Sequence, residues 1–368
     1  MKHALWIFTS ISLFLFISCK MTSLQENHIL FVGTYTDNGS EGIYSYTFNT
    51  DNGQLTNKTL AAILKNPSYL KIASNKKHLY AVSEVADFEG ENGAVAAFEI
   101  NEGALTRLNI KSTMGEHPCH VSLSENGSLV AVSNYTGGSI VIYETEENGS
   151  LRANPQFIDH KQLDTAKTSH AHSAHFIKNK IFVADLGLDI VKRYQFKDGK
   201  FSSVNQPTLN MVSGAGPRHF AFGQEEKFLY VINELNSTIT VFEKNSQDEY
   251  ETVETKSTLD AAFNGESYCA DIHLAPDGQF LYGSNRGENT IVIFQVHSQT
   301  GKLSLVGREG VRGDWPRNFN MDPTGKFLLV ANQRSNNISV YKRDLQMGIL
   351  EYLYQIELPS PVCLEFLE

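Results

Sequence analysis

Charged residues recur at two kinds of position along this chain, at or beside the ends of short apolar segments and directly after prolines. Glu84 and Glu234 end short apolar segments, Arg218 and Arg317 each follow a proline, and Arg286 follows an asparagine. Guanidinium groups stabilise carboxylates and developing oxyanions, and a carboxylate or an imidazole can accept a proton. If these side chains lie together, they form a polar site that can bind and act on a small anionic ligand.

The elements that would bring them together are the copies of one internal repeat. A short apolar segment that ends in a polar residue occurs seven times, ending at Thr34, Glu84, Asn134, Asp185, Glu234, Asn285 and Asn332. The intervals between these residues are 50, 50, 51, 49, 51 and 47 positions. A period near 50 residues indicates a repeated structural unit rather than a single irregular domain.

Each repeat contains four strand signals. A first strand often begins at a proline, as at Pro118, Pro217 and Pro316, and alternating runs such as residues 238–242 follow the apolar segment. Four strands per unit, seven units and no amphipathic helix predict an all-β fold, a seven-bladed β-propeller that occupies residues 29–368 as one domain. Because Pro361–Phe366 is a first strand without successors, we expect it to join strands from about residue 29 to residue 60 and close the ring.

Propeller geometry places the candidate residues at one mouth. The first strand of each blade lines the central channel, so its start lies beside the end of the antiparallel second strand. The starts are Ser68, Cys119, His172, Arg218, Arg317 and Val362; the ends are the seven residues that define the repeat, with Arg286 and Gln333 beside them. Two structural alternatives stay open. The asparagines and Asp185 could only bond neighbouring blades, and the arginines could only form ion pairs with Glu84 and Glu234.

A histidine cluster resembles a metal site but falls short of one. On a regular strand His170 and His172 share one face, and His175 points to the other. Two imidazoles with no nearby cysteine do not supply the three or four ligands that zinc requires. We therefore expect no metal and no cofactor, and we expect one histidine to be a polar channel residue with a pKa near neutrality, suited to proton transfer.

The N-terminus has the pattern of an export signal over residues 1–19. Lys2 precedes an apolar run over residues 4–17, and Ser18-Cys19 is similar to the end of a bacterial lipoprotein signal, although Phe16 departs from its usual leucine. We expect export, membrane attachment through a lipid on Cys19, and a short linker at 20–28.

Composition excludes some partners. A formal net charge of −10 argues against nucleic acid, whose phosphates require a basic surface. Apart from Cys19, the three cysteines Cys119, Cys269 and Cys363 are an odd number and widely spaced, so they predict no disulfide framework. We expect a monomer that acts on a small molecule.

Several motifs resemble those of one family. They are Phe31-Val32-Gly33-Thr34-Tyr35, Asn66-Pro67-Ser68-Tyr69-Leu70, Ser133-Asn134-Tyr135, His170-Ala171-His172, Gly216-Pro217-Arg218-His219, Asn233-Glu234-Leu235 and Ser284-Asn285-Arg286-Gly287. Together they resemble the propeller-type lactonases, which include bacterial 6-phosphogluconolactonases and fungal carboxymuconate lactonizing enzymes. The resemblance spans residues 29–366, and the Gly-Pro-Arg-His motif followed by Asn-Glu is highly specific.

The resemblance implies lactone chemistry at the mouth. The catalytic candidates that it implies are His172, Arg218, Glu234 and Arg286, with His170 as an alternative to His172. The expected substrate-binding residues are Glu84, Asn134, His170, Asp185, His219, Asn285 and Arg317. Glu234 or His172 would be the general base, and the arginines would stabilise the oxyanion.

Export suggests that the substrate is a sugar lactone without a phosphate, or some other cyclic ester outside the inner membrane. Two alternatives stay open: a cycloisomerase that closes an unsaturated dicarboxylate into a lactone, and a propeller that binds a ligand or protein without catalysis. Fold alone does not separate them.

Overall fold

The computed structural model describes residues 27–367, so the predicted signal segment and Cys19 lie outside the described residues. The described part contains 28 strands, which form seven four-stranded antiparallel sheets. The predicted seven-bladed β-propeller is therefore confirmed. The first strand begins at Asn27, inside the segment expected to be a linker.

The strands are numbered β1 to β28 in chain order. Blade 1 contains β28 (Pro361–Leu367), β1 (Asn27–Thr34), β2 (Gly42–Asn49) and β3 (Leu55–Ile63). Blade 2 contains β4 (Leu70–Ile72), β5 (His78–Ser83), β6 (Ala94–Asn101) and β7 (Ala104–Ser112). Blade 3 contains β8 (Pro118–Leu123), β9 (Leu129–Asn134), β10 (Ser139–Glu144) and β11 (Gln156–Asp159). Blade 4 contains β12 (Ala171–Ile177), β13 (Lys180–Asp185), β14 (Ile190–Lys197) and β15 (Lys200–Asn210).

The remaining three blades repeat this order. Blade 5 contains β16 (Pro217–Phe222), β17 (Phe228–Asn233), β18 (Thr238–Lys244) and β19 (Tyr250–Ser257). Blade 6 contains β20 (Tyr268–Leu274), β21 (Phe280–Arg286), β22 (Thr290–Val296) and β23 (Leu303–Gly310). Blade 7 contains β24 (Pro316–Met321), β25 (Phe327–Asn332), β26 (Asn337–Arg343) and β27 (Leu350–Glu357). Single 3₁₀ turns occupy His160–Gln162 and Gln224–Glu226.

The two ends of the described chain share blade 1. Strand β28 pairs antiparallel with β1, with Leu30 opposite Phe366 and Val32 opposite Leu364. The C-terminal strand thus supplies the inner strand of the blade that the N-terminal strands begin. This closure, which the sequence predicts, covers the edge of β1 with the C-terminal strand where the ring begins and ends.

Apolar clusters fill the spaces between adjacent blades. Between blades 7 and 1, the ring of Phe48 lies edge-on to Phe327 at 5.7 Å and to Phe366 at 5.2 Å between centroids. Each such buried side chain contributes roughly 1.5–3 kcal/mol. Among the described residues, no helix has the length and apolar character needed to cross a bilayer.

A bulge repeats near the start of the inner strands. The pairing register between first and second strands shifts at Pro118/His120, Ala171/Ser173, Pro217/His219 and Pro316/Asn318. The extra residue in each case is Cys119, His172, Arg218 or Arg317. A bulge bends the strand and re-aims a side chain. Four of the six strand-start residues that the sequence placed at the mouth are therefore the bulge residues of their blades.

Candidate active site

Glu234 joins two arginines at the mouth. One of its oxygens, Oε2, lies 2.9 Å from Nε of Arg218 and 2.8 Å from Nη2 of Arg286. The arginine side chains are only 2% and 5% exposed, and Glu234 is 16% exposed. The structure therefore brings together three of the four predicted catalytic residues.

Backbone geometry holds Arg218 beside Glu234. Gly216 adopts a φ of 65°, and a Cβ at that position would lie 2.6 Å from Cγ of Leu235. The amide of Gly216 donates to Oδ1 of Asp189 at 2.9 Å, and its carbonyl accepts from the amide of Glu234 at 2.7 Å. The Gly-Pro-Arg turn is thus fixed directly to the residue that carries the carboxylate.

The charges at this centre are mutually stabilised. Burial alone would raise the pKa of Glu234, but the guanidinium groups of Arg286 and Arg218 outweigh it and hold the pKa below its ordinary value. Burial lowers the pKa of Arg286 to about 10, with Glu234 opposing that shift and Arg218 adding to it. Glu234 and Arg286 are therefore charged at neutral pH, and Glu234 is a weakened base.

The guanidinium groups of Arg286 and Arg218 differ in which of their N–H groups are hydrogen-bonded. Arg286 donates from Nη2 to the carbonyl of Cys269 at 3.0 Å, and its guanidinium lies 5.1 Å from the centre of the Trp315 ring. Arg218 donates from Nη1 to the carbonyl of Ala270. Its buried Nε–H makes no hydrogen bond, because it is not aligned with the nearby carboxylate oxygen. A buried, unpaired N–H of this kind can donate to an oxyanion.

A second ion pair occupies the other side of the mouth. Nη2 of Arg317 lies 3.6 Å from Oε2 of Glu84, and Tyr35 donates from its hydroxyl to the same oxygen at 2.8 Å. The guanidinium of Arg317 lies 5.4 Å from the centre of the Tyr35 ring. Glu84 and Arg317 are 13% and 15% exposed. The predicted binding residues Glu84 and Arg317 are thus paired with each other.

His172 is the imidazole that reaches the mouth. It is 4% exposed, and its Nδ1 has no hydrogen-bond partner. Burial, followed by the positive charge of Arg218, lowers its pKa well below the ordinary value. His172 is therefore neutral at pH 7, and the expectation of a histidine pKa near neutrality was wrong for it because burial disfavours the charged ring.

His219 lies behind Arg218 and forms a buried pair with Asp271. Nδ1 of His219 is 2.7 Å from Oδ1 of Asp271, which is 2% exposed. The carboxylate fixes the proton on Nδ1, so Nε2 is left as an acceptor, 3.5 Å from Nη1 of Arg218. Burial lowers the pKa of His219 to about 4, with Arg218 adding to the shift and Asp271 opposing it. His219 thus supports Arg218 rather than forming the surface of the mouth.

The other histidines of the cluster are placed differently from expectation. His170 precedes β12, and its ring stacks on Tyr135 at 4.5 Å with an interplanar angle of 14°. The expectation that His175 points away from His172 was wrong. Both rings lie among the channel histidines, with His172 at 5.2 Å from His219 and His175 at 4.8 Å from His120. The bulge at His172 adds a residue and reverses the alternation of the strand.

Three predicted binding residues are not brought to the mouth surface. Asn134, Asp185 and Asn285 are all fully buried. Their partners lie within the fold; for example, Asn134 donates from Nδ2 to the carbonyl of Thr113 at 2.9 Å. Asp185 accepts from Nδ1 of His160 at 2.8 Å and from the amide of His170 at 2.9 Å. These contacts match the structural alternative that the sequence left open.

Sequence reasoning missed Tyr35, Trp315 and Asp271. Tyr35 directly follows Thr34, and Trp315 directly precedes Pro316, so both flank positions that the repeat marks as mouth residues. Reading two residues to each side of the mouth positions Thr34 and Arg317 would have found them. Asp271 had no such signal, because its strand is among those without a proline at its start.

The thiols do not supply a nucleophile. Cys119, Cys269 and Cys363 are free and buried, and burial raises the pKa of each thiol. A buried protonated thiol is inert as a nucleophile. Within residues 27–367, no group of three or more His, Cys, Asp or Glu side chains is arranged to hold a metal ion.

Comparison with known proteins decides the family. Residues 29–366 match the sequence profile of the family described as "Lactonase, 7-bladed beta-propeller". The chain belongs to this family. The predicted resemblance is thus confirmed, and the protein is a lactonase, a carboxylic-ester hydrolase.

Relatives match this lactonase along most of its length. It is 36% identical to the 6-phosphogluconolactonase of Bacillus subtilis, over 93% of this chain and 99% of the relative. It is also 36% identical to the 6-phosphogluconolactonase of Formosa agariphila, over 89% and 95% of the two chains. The structure of the periplasmic gluconolactonase of Pseudomonas aeruginosa superposes with a TM-score of 0.85 at 30% identity, covering 93% and 99%.

Proposed function

We propose that this lactonase hydrolyses an unphosphorylated sugar lactone at the mouth formed by His172, Arg218, Glu234, Arg286 and Arg317. The observation that carries the proposal is the Arg218–Glu234–Arg286 cluster, with the unpartnered imidazole of His172 beside His219, which contacts Arg218. Hydrolysis of a lactone needs a base for water and a donor for the carbonyl oxygen, and this cluster supplies both.

In this proposal His172 is the general base. The pKa of Glu234 and the pKa of His172 are both lowered, but Oε2 of Glu234 is occupied by two guanidinium groups, whereas Nδ1 of His172 has no hydrogen-bond partner. His172 removes a proton from water as the oxygen attacks the carbonyl carbon. The ring C–O bond then breaks, and His172 returns the proton to the leaving alkoxide. Glu234 holds the arginines in place throughout.

The arginines stabilise the charge that develops on the substrate. The unpaired Nε–H of Arg218 and the guanidinium of Arg286 face the carbonyl oxygen as it becomes an oxyanion. The product acid then ionises, and its carboxylate rests against the same donors. The Asp271–His219 pair keeps Arg218 in position from behind.

Charge balance at the mouth favours an uncharged lactone. Three guanidinium groups, those of Arg218, Arg286 and Arg317, face the two carboxylates of Glu84 and Glu234. One positive charge is left among these five side chains, which matches one oxyanion or one product carboxylate. A phosphate would add about −1.5 to −2 charges that this set does not balance. A dicarboxylate, the substrate of the cycloisomerase alternative, likewise carries more negative charge than these five side chains balance.

The test of the substrate class is a pair of rates. We expect kcat/KM for glucono-δ-lactone to exceed that for 6-phosphogluconolactone by at least about tenfold, each corrected for spontaneous opening. A preference for the phosphorylated lactone would overturn the assignment of an unphosphorylated substrate and leave the mouth chemistry intact. Absence of activity on both, with an unsaturated dicarboxylate converted instead, would replace hydrolysis by cyclisation.

The proposal includes export and lipid attachment at Cys19. It is supported by the basic and apolar pattern of residues 1–19 and by the similarity to a periplasmic gluconolactonase. Fractionation of cells that express the full chain tests it. The protein should sediment with membranes, and Cys19→Ala should move it away from the membrane fraction. A cytoplasmic wild-type protein would overturn export.

A further inference from the structure

A second polar cavity lies toward the far end of the central channel. It has a volume of about 300 Å³, a size within the range of small-molecule sites. Inner strands of six blades contribute to its wall, and its polar lining includes His120, Ser122, His175, His273, Asn320 and Glu365. None of the proposed catalytic residues lines it.

Three polar atoms of this wall have no hydrogen-bond partner. They are Nε2 of His120, Oγ of Ser122 and Nε2 of His175. His120 is 1% exposed and Ser122 is 6% exposed, so both are deeply buried. Nδ1 of His120 faces the amide of Ala174 at 3.5 Å, which makes Nε2 the protonated nitrogen. Leaving such groups unsatisfied costs about 1–3 kcal/mol each.

The amide side chains of the wall are already satisfied. Asn320 donates to the carbonyl of Leu364 at 2.9 Å and accepts from the amide of Met321 at 2.8 Å. Asn318 donates to Asp271 and accepts from the amide of Leu364 at 2.8 Å. The unfilled hydrogen-bonding capacity is therefore concentrated on the His120, Ser122 and His175 side.

The lysine and the glutamate that line the cavity are paired with each other. Nζ of Lys71 lies 2.7 Å from Oε1 of Glu365. Asp271 contacts both His219 and His273, at 2.7 and 3.0 Å. Burial lowers the pKa of His175 to about 3 and the pKa of His120 well below its ordinary value, so both imidazoles are neutral. The cavity offers no uncompensated charge to attract an ion.

We propose that this far-end cavity is a second binding site, for a neutral polyhydroxylated molecule such as a monosaccharide or an alditol. A hydroxyl group both donates and accepts, so it can satisfy the fixed donor of His120, the hydroxyl of Ser122 and either tautomer of His175. The rings of Tyr69 and Phe176 also line the cavity and offer apolar faces to C–H groups. The site is separate from the mouth, and its test does not depend on lactone hydrolysis.

Binding of D-sorbitol, which has no lactone and no charge, tests the proposal. We expect saturable binding in the millimolar range by ligand-observed NMR or calorimetry. The double variant Ser122→Val/His175→Leu should raise Kd about tenfold, and Ser122→Val alone, which replaces the hydroxyl by methyl groups, about threefold. Ser203→Val, the same change at an exposed strand position, and Arg286→Ala at the mouth should leave Kd within about twofold.

Each result that contradicts the proposal would lead to a different conclusion. No saturable binding up to about 100 mM would overturn the site and leave the cavity to water. Binding that Arg286→Ala abolishes and Ser122→Val does not affect would place the sugar at the mouth. D-gluconate that binds at the cavity more tightly than D-sorbitol would overturn the assignment to neutral ligands. If the double variant does not fold, Ser122→Val alone decides the question.

Discussion

The carboxylate of Glu234 lies 2.8 Å from Nη2 of Arg286, with both side chains at least four-fifths buried. The same oxygen of Glu234 also contacts Arg218, so one carboxylate fixes two guanidinium groups. This arrangement argues that Glu234 organises the donors of the mouth, and that the proton is taken by the imidazole of His172.

Replacing Glu234 by glutamine should disorganise the arginines. We expect Glu234→Gln to lower kcat by about 10²–10³-fold, because the donors no longer converge on the developing oxyanion. The variant should also be less stable, since two buried guanidinium groups lose their counter-charge. Steady-state rates and urea unfolding measure the two effects. Glu243→Gln, at an exposed pair with Lys227, is the matched control and should change neither.

Replacing the two histidines of the cluster should have very different effects on activity. His172→Gln should lower kcat/KM by about 10²–10⁴-fold, because it removes the general base. His170→Gln should change kcat/KM by less than about threefold, since His170 stacks on Tyr135 outside the strand. The comparison uses both variants at equal folded concentration. The reverse order of the two effects would make His170 the base.

The pH profile should reflect the lowered pKa of His172. The base is active when neutral, so activity falls only when the pH drops below the pKa of His172. Burial and the neighbouring Arg218, His219 and Arg317 all lower that pKa. Between about pH 5.5 and about pH 7.5, kcat/KM should therefore stay nearly flat. An acid limb centred near pH 6.5 would indicate a histidine in an ordinary, solvated setting and would contradict this assignment.

Asp185 should contribute to stability rather than to substrate binding. Burial would raise its pKa, but bonds from His160, Ser169 and the His170 amide lower it below the ordinary value. A lowered folded-state pKa gives stability that is full above the unfolded pKa and lost as the pH falls through the folded value. Asp185→Asn should lower the free energy of unfolding by about 2–4 kcal/mol at pH 7.

Asp185→Asn should keep the wild-type kcat and KM under conditions in which it is folded. We expect KM for the lactone to change by less than about threefold, measured well below the unfolding midpoint. Asn134→Ala should behave similarly, because its amide only joins Thr113 and Ser139 within the fold. A large rise in KM without loss of stability would return these residues to the binding surface.

The repeat made the ring and the mouth predictable. Seven polar segment ends near a 50-residue period required seven blades, and the isolated strand at Pro361 required closure with the N-terminal strands. Propeller topology brings the starts of the first strands beside the ends of the second strands. Arg218, Glu234 and Arg286 could therefore be placed together from the sequence alone.

The direction of individual side chains was harder to predict. A bulge adds one residue and reverses alternation, so the orientation of His175 did not follow from period-2 spacing. The inward turn of Asn134 toward Thr113 depends on tertiary hydrogen bonds that the repeat does not encode. Asp271 could not be singled out, since its pairing with His219 joins residues 52 positions apart.

The most direct test of the account is hydrolysis of glucono-δ-lactone by the protein without residues 1–19, with Arg286→Ala as the comparison. The account predicts opening of the lactone well above the buffer rate at slightly acid pH, and a loss of about 10²–10³-fold in kcat for the variant. Equal rates for the wild type and Arg286→Ala would contradict it, because the Arg286–Glu234 pair would then have no part in catalysis.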